Sequence, residues 1–450
     1  MDDSRAPSGN PGDVWPLVGR DGILAQIDEA AAEPSVCGVV LVGAPGVGRT
    51  RLAREACARL ARAGSRIAWA TATRAAASVA FGALPHLIPR SPERSGGALD
   101  VLQQFADRFG AAQQSRPVLA VDDAHLLDSA SVALIHHLAV QGRGFLVITL
   151  RSGAPVPDAL RALWKERMAR RIEVPALPME HVDTLLERAS GGSFDAISRG
   201  RLRDLCAGNP LVLRELVNAG LESGTLRPVD GIQHWAQGSD YVTDRLADVV
   251  EGQSGVSDPR ICAALEVLAC ADPLDHVLVE RLLDDAALVE AERRQLVVFD
   301  LSGSRLVARL TVPAYGQVIQ VRMPSSRRRA IYRRLADALA ASPMRRADDI
   351  LQLAWWRLQG GLPVTATDLL AAARRAAATL DFEVAEQLAV AARKAGRCPR
   401  ADLMLAEVLT ARGRHAEAAA VLPRTVNGWE ERDLARLAIV RARVRFGDPR

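Results

Sequence analysis

Residues Val39–Ala53 read VVLVGAPGVGRTRLA. The apolar run Val39, Val40, Leu41, Val42 predicts a buried strand. It stops at Gly43, and a glycine-rich loop leads into a helix that starts near Thr50. The loop Gly43-Ala44-Pro45-Gly46-Val47-Gly48-Arg49-Thr50 has the spacing G-x-x-x-x-G-K-[ST] of a phosphate-binding loop, with Arg49 where lysine is expected. Gly46 and Gly48 leave room for backbone N–H groups to surround phosphate oxygens, and the helix N-terminus adds partial positive charge. Thr50 offers its hydroxyl to a magnesium ion. Gly43 through Arg51 are therefore the candidate phosphate-contacting residues.

A phosphate site of this kind needs a second element, a carboxylate at the end of a buried strand that holds the metal directly or through water. Val118–Asp128, VLAVDDAHLLD, supplies it. Asp122 is the candidate magnesium partner, with Thr50, and Asp123 stands where a water-activating carboxylate belongs. His125 fits either a phosphate contact or a structural role in the turn. Phe145–Leu150, FLVITL, is a further strand ending at Arg151. Arg151 fits either a sensor of the terminal phosphate or a solvated strand end.

At 450 residues the chain has room for about three domains. Hydrophobic residues make up 49%, enough for sizeable cores, and the 4% of aromatics leaves alanine and leucine to favour helices. A net charge of +4 is too small for whole-surface binding of nucleic acid. Lysine occurs only at Lys165 and Lys394, so no other lysine near the loop stands in for the one replaced by Arg49. The six cysteines are scattered without C-x-x-C pairs, which reads as small core residues in a reducing compartment. No signal peptide or membrane-spanning run is evident, and a cytoplasmic location is expected.

Along the chain, 1–13 read as disordered and 14–176 as an α/β domain. Its strands are Val39–Val42, Arg66–Ala72, Pro117–Asp123, Phe145–Leu150 and Ile172–Val174, which implies a parallel sheet covered on both faces by helices. After Pro178 the strand signals fade, and 177–245 read as a helical lid with a looser stretch, Leu226–Asp240, that leaves Trp235 exposed. In 246–342 the order helix, helix, hairpin is that of a winged helix. From 343 to 450 the chain is helical and repetitive. Leu380–Lys394 resembles Gly413–Val426, Ala385 matches Ala418, and the step of about 33–34 residues is the period of tetratricopeptide-type hairpins. Gly447-Asp448 opens a third such unit without a polar cap, so these residues are expected to be part of a longer protein.

Four features in order, LVGR (Leu17–Arg20), GAPGVGRT, VLAVDDAHLLD and GNPL (Gly208–Leu211), resemble the STAND branch of the AAA+ ATPases. More narrowly, with RDGILAQIDEAA, TRLAREA, AGNPLVLREL and SRRRAIYRRLADAL, they resemble the large ATP-binding transcriptional regulators of the LuxR type. The resemblance implies a P-loop nucleotide-binding domain, lid, winged helix and helical repeat sensor ahead of a C-terminal helix-turn-helix. It implies ATP or ADP with magnesium as cofactors, Val18, Gly19 and Arg20 beside the adenine or ribose, and Pro210 against the base. The partners it implies are a small-molecule or protein inducer on the repeats and self-association in the active state. DNA and RNA polymerase would be reached only through a part beyond residue 450, and no membrane is involved.

Three departures qualify these expectations. Arg49 keeps the lysine's charge but is planar and bulkier, which allows at most slow ATP hydrolysis with Arg49 and Asp123 as the catalytic pair. Val312, before Pro313, replaces a histidine common in relatives, which weakens an ADP-locked resting state. Arg322, Arg327, Arg328, Arg329, Arg333 and Arg334 lack a base-reading helix after a turn and read as a solvated face of an intramolecular module rather than a DNA contact. The rival classes are a degenerate loop on a recruiting scaffold and a genuine ATPase.

Overall fold

A computed structural model describes residues 15–84, 109, 116–236, 242–254, 258–302, 305–342, 347–396, 398–423 and 429–446. The expectations for 1–13, for the hairpin turn at 303–304 and for a third repeat at 447–448 lie outside the described residues. The chain divides into two compact units. The first runs to Cys262 and adds Ala286–Val298 and Arg309–Val318; the second comprises Ala263–Asp285, Phe299–Ala308 and the residues from Ile319 on.

The first unit is built on β1 (Gly38–Gly43), β2 (Ile67–Thr71), β3 (Val118–Asp122), β4 (Phe145–Arg151) and β5 (Ala169–Glu173), with α1 (Asp21–Ala32), α2 (Arg49–Arg62), α3 (Ser129–Val140) and α4 (Asp158–Lys165) between them. The five strands lie in the order β2-β3-β4-β1-β5, every pairing parallel. Strands buried on both faces need no polar alternation, which is why they appear in the sequence as continuous apolar runs. Val39 and Leu41 pack with Leu24 and Ile27 of α1 and Leu52 and Ala56 of α2. Val40 and Val42 face the other way, toward Leu134 and Leu138 of α3 and Leu160 and Leu163 of α4. The insertion of β4 between β1 and β3 sets three strand ends side by side: the glycine loop, Arg151 and the Asp122-Asp123 pair. The edge strand β5 begins three residues earlier than its apolar signal because Arg170 and Arg171 pair outward with Glu33 and Glu173.

Two sequence expectations for the lid are corrected. Strands do recur after Pro178: beside α5 (Met179–Ser190), α6 (Ala196–Cys206) and α7 (Pro210–Glu222), a three-stranded sheet orders β6 (Ser193–Phe194), β8 (Ile232–Trp235) and β7 (Leu226–Val229). Pro228 is tolerated because β7 is an edge. Trp235 is buried, at 7% exposure, with the Arg201 guanidinium 4.7 Å above its ring and its backbone N–H donating to Ser198 Oγ. Pro228 and Gly231 interrupt the alternation that would have revealed the hairpin. The helices α8 (Asp244–Ser254) and α9 (Pro259–Cys270) follow.

Next come β9 (Leu274–Asp275), α10 (His276–Leu282), α11 (Asp285–Arg293), β10 (Val297–Ser302), β11 (Arg305–Leu310), α12 (Pro313–Arg322) and α13 (Ser325–Ala340). A second helix, α11, thus separates α10 from the hairpin. In the second unit the arginines of α13 are used internally: Arg327 pairs with Glu266 at 2.8 Å, and Arg328, Arg333 and Arg334 donate to the carbonyls of Gln320, Gly360 and Leu282. Then α14 (Ala347–Gly360), α15 (Ala366–Ala378), α16 (Phe382–Ala395), α17 (Pro399–Ala411), α18 (His415–Val421) and α19 (Glu431–Phe446) stack as helical hairpins. Ala385 and Ala418 are both fully buried, as the repeat requires of its small crossing residues. Glu386 of α16 takes Arg412 and Arg414 from the turn between α17 and α18, and Glu407 of α17 takes Arg436 of α19. Among the described residues no helix is long and apolar enough to cross a membrane.

Candidate functional site

The glycine loop is held in shape from three sides. Gly46 and Gly48 have φ of 80° and 96°, and Gly48 is the N-cap of α2. A Cβ on Gly48 would meet nothing within 4 Å, so glycine serves the left-handed backbone there rather than a close approach. Arg20 is buried, at 4% exposure, and donates to the carbonyls of Val47 (3.0 Å) and Pro175 (2.7 Å). Burial pulls its pKa down. Asn209 reaches in from the lid: its Nδ2 donates to the Pro45 carbonyl at 3.0 Å, while its Oδ1 caps α7 through the N–H groups of Leu211 and Val212. The Leu211 N–H also meets the Gly46 carbonyl at 3.3 Å. Gly208, at φ 76°, is required because a Cβ there would stand 2.3 Å from the Leu177 carbonyl oxygen.

Below the loop, Thr50 Oγ1 lies 3.0 and 2.9 Å from the two carboxylate oxygens of Asp122. Asp122 is buried, and it also accepts the hydroxyl of Thr149 at 2.6 Å. Thr149 accepts in turn the N–H of Asp123 at 2.8 Å. Asp123 has a left-handed backbone, φ 52°, at the end of β3. Its carboxylate meets Arg49 Nη2 at 3.3 Å.

Arg49 is folded back: its side chain is 10% exposed, and Nη1 donates to the Gly43 carbonyl at 3.0 Å. Burial lowers its pKa, opposed by Asp123 and Asp122. Burial raises that of Asp123, opposed mainly by Arg49. His125 lies 4.0 Å from Asp123, its Nδ1 buried without a hydrogen-bond partner. Burial, then Arg49, Arg151 and Arg74, depress its pKa to about 4, so it is neutral at physiological pH. Arg151 has a buried Nη2 without a partner, and its pKa is lowered by burial, Arg49 and Arg294 and raised by Asp123 and Tyr315.

A cavity of about 480 Å³ opens along the loop. Val18, Arg20, Gly46, Val47, Gly48, Arg49, Thr50, Arg51 and Pro210 line it. Of the other sequence candidates, Gly43, Ala44 and Pro45 form the strand end and loop wall behind it, and Gly19 turns toward His181. Asp122 and Asp123 lie under Thr50 and Arg49, and Arg151 lines a separate cavity with Ser152 and Arg293. Val312 is buried at 6% exposure, and its carbonyl accepts the Tyr315 N–H. Sequence reading missed Trp15 and Arg54 on the cavity wall, Thr149 and Asn209. Thr149 carried a signal, a hydroxyl inside the apolar run FLVITL.

The donor set suits a small hard cation. A hydroxyl and a carboxylate within hydrogen-bond distance can share magnesium with phosphate oxygens and waters. Among the described residues no cluster of three or more His, Cys, Asp or Glu would hold a metal unaided, so the ion would be bound together with phosphate.

Residues 16–148 match the AAA ATPase domain family. The parallel sheet, glycine loop and helical remainder are an α/β P-loop NTPase fold followed by helical repeats. No curated protein matches the chain. Among solved structures, a STAND protein with a tetratricopeptide repeat sensor from Pyrococcus horikoshii is 14% identical, with 98% of this chain and 66% of that chain covered and a TM-score of 0.33. Cdc6p from Pyrobaculum aerophilum is 16% identical over 71% of this chain and 98% of its own, with a TM-score of 0.39. A RuvB variant from Thermotoga maritima is 15% identical over 64% and 92%, with a TM-score of 0.36.

Proposed function

We propose that this chain is the nucleotide-binding, regulatory part of a LuxR-type transcriptional activator, switched by ATP and ADP with magnesium at Gly43–Thr50. The observation that carries the nucleotide reading is the pairing of Thr50, on the cavity wall, with the buried Asp122 beneath a glycine loop braced by Arg20 and by Asn209 of the lid. Magnesium held there would neutralise charge between the terminal phosphates. Thr50 and Asp122 would hold it and the loop N–H groups would bind the phosphates; Arg151, a buried arginine with an unpartnered Nη2 at the end of the neighbouring strand, is the candidate for the terminal phosphate. The apolar wall from Val18 to Pro210 takes the base. Domains at 14–176, 177–245, 246–342 and 343–450 are the nucleotide-binding domain, lid, winged helix and repeat sensor, the last receiving an inducer. The transcriptional reading rests on the sequence phrases shared with that family, with DNA contacted through a segment outside these residues.

Calorimetry on the folded protein tests the binding. ATP or ADP with magnesium gives a binding isotherm that Thr50→Ala and Asp122→Asn both weaken. The scaffold reading draws on one observation, that Arg49 is already satisfied by Gly43 and Asp123. It is the one left standing if neither nucleotide gives heat.

A further inference from the structure

Arg151 does not line the cavity along the glycine loop. It lines a second cavity of about 500 Å³, and no residue lines both. This cavity stands at the carboxyl ends of β4, β1 and β5, the end of a parallel sheet where ligands bind. Its apolar lining is Val42, Leu150, Val156 and Trp164, all members or neighbours of one core cluster. Arg293 and Gln295 complete it. Gly153, at φ 72°, touches that segment through the backbone: a Cβ there would stand 2.2 Å from the Arg293 carbonyl oxygen.

Three arginines line the cavity, and two already have a counter-charge. Arg171 meets Glu173 at 2.5 Å, and Arg293 meets Glu290 at 2.7 Å. Arg151 is different, because its Nη2 is buried with no hydrogen-bond partner. Burial first, then the charges of Arg49 and Arg294, act against its own charge. A guanidinium cannot escape by losing its proton, so a desolvated donor on it is costly until an acceptor arrives. One unanswered positive charge calls for one negative charge. A carboxylate matches the planar fork, whereas a phosphate dianion would bring excess negative charge toward Glu173. We propose that this second cavity binds a small organic carboxylate with a flat apolar body: Arg151 takes the carboxylate, and Trp164 with Val42, Leu150 and Val156 takes the body. The volume is that of a small-molecule site, and an aromatic wall favours a flat partner. The inference goes beyond the nucleotide reading and stands without it. The five donors of Arg151 suffice for a terminal phosphate as well.

The test follows 4-fluorobenzoate by fluorine NMR as the full chain is added, with 4-fluorobenzyl alcohol as the uncharged counterpart. The carboxylate is expected to bind saturably and the alcohol at least about tenfold more weakly. Arg151→Gln is expected to erase that difference, and Trp164→Ala to weaken both probes several-fold. ADP with magnesium leaves the carboxylate bound, since the two cavities share no residue. No binding by the unmodified chain, equal binding of the alcohol, or displacement by ADP overturns the proposal. So does an affinity for 4-fluorobenzoate that Arg151→Gln or Trp164→Ala leaves unchanged. Should Arg151→Gln not fold, Arg171→Gln, at a half-exposed side chain, carries the comparison. It leaves Glu173 without its counter-charge beside the ligand, so the carboxylate weakens several-fold and the alcohol does not; equal effects on both probes, or none, overturn the proposal.

Discussion

Arg49 brings a charge that cannot be discharged into a site almost closed to water, and the fold answers with a carbonyl and a carboxylate. Its planar fork spans Gly43 and Asp123 at once; a lysine, a point charge, would not. Asp123 is thereby occupied when it would otherwise orient water. Turnover is expected far below the usual enzyme range of about 1–10³ s⁻¹, and Arg49→Lys is expected to raise it. Phosphate release measures this; robust turnover in the unmodified protein that vanishes on Asp123→Asn would sink the argument. His125 is tested by pH. Its folded pKa of about 4 lies below the ordinary value of 6.5, so the unfolded chain takes up the proton first. Above pH 6.5 both states are neutral and nothing changes. As pH falls from 6.5 toward 4, stability drops by up to about 3 kcal/mol, and His125→Gln flattens that slope. The raised pKa of Asp123 acts in the opposite direction in acid, and the difference between the two proteins isolates the histidine. Denaturant unfolding at pH 7 and pH 5 reads it out, and equal slopes would remove the burial argument. These electrostatics were not legible in the sequence. VDDAH names the groups, but the left-handed turn at Asp123 that brings them to Arg49 is tertiary.

At the scale of elements, the sequence disclosed most where burial was complete. β1, β3 and β4 are apolar runs because both faces of the sheet are covered, and their ends carry the loop and the carboxylates. The edges were harder: β5 hides behind outward arginines, and the lid hairpin behind Pro228 and Gly231. GNPL drew attention to Pro210, which does line the cavity, but the residue that joins α7 to the glycine loop is Asn209. Asn209 does two separable things. Its oxygen caps α7, and its amide donates to Pro45. Asn209→Ala loses both and is expected to cost about 1–2 kcal/mol for the cap as well as nucleotide affinity. Asn209→Asp keeps the cap and loses the donor, so unfolding stays closer to the unmodified protein while nucleotide affinity still falls. If Asn209→Asp binds as tightly as the unmodified protein, the amide link to the loop carries no weight.

At the scale of the molecule, each compact unit gathers segments that lie apart in the chain. Arg309–Val318, flanked by second-unit residues, belongs with the sheet, as Ala286–Val298 does. Sequence order alone could not show this, because the winged-helix pattern reads as one continuous block. The consequence is electrostatic. Within the first unit, the charge of Arg294 acts on Arg151, while Tyr315 is buried and uncharged, its pKa raised by burial. Ala286–Val298, through Arg294, therefore has a way to feel the strand end that stands next to the glycine loop. A switch needs a ligand that favours one state, and two positions compete for the role of reader. A histidine at 312 would offer the diphosphate a donor, but Val312 is core, and a polar ring there would have to be desolvated. Tyr315, one turn along α12, is buried and carries an uncharged phenol hydroxyl. Val312→His is therefore expected to lower stability by about 1–3 kcal/mol without tightening ADP. Tyr315→Phe is expected to change the ratio of ATP to ADP affinity several-fold at little cost in stability. Paired calorimetry and light scattering with each nucleotide decide between them. If Val312→His tightens ADP about tenfold and lowers the assembled fraction, position 312 gates the site and Tyr315 is only packing.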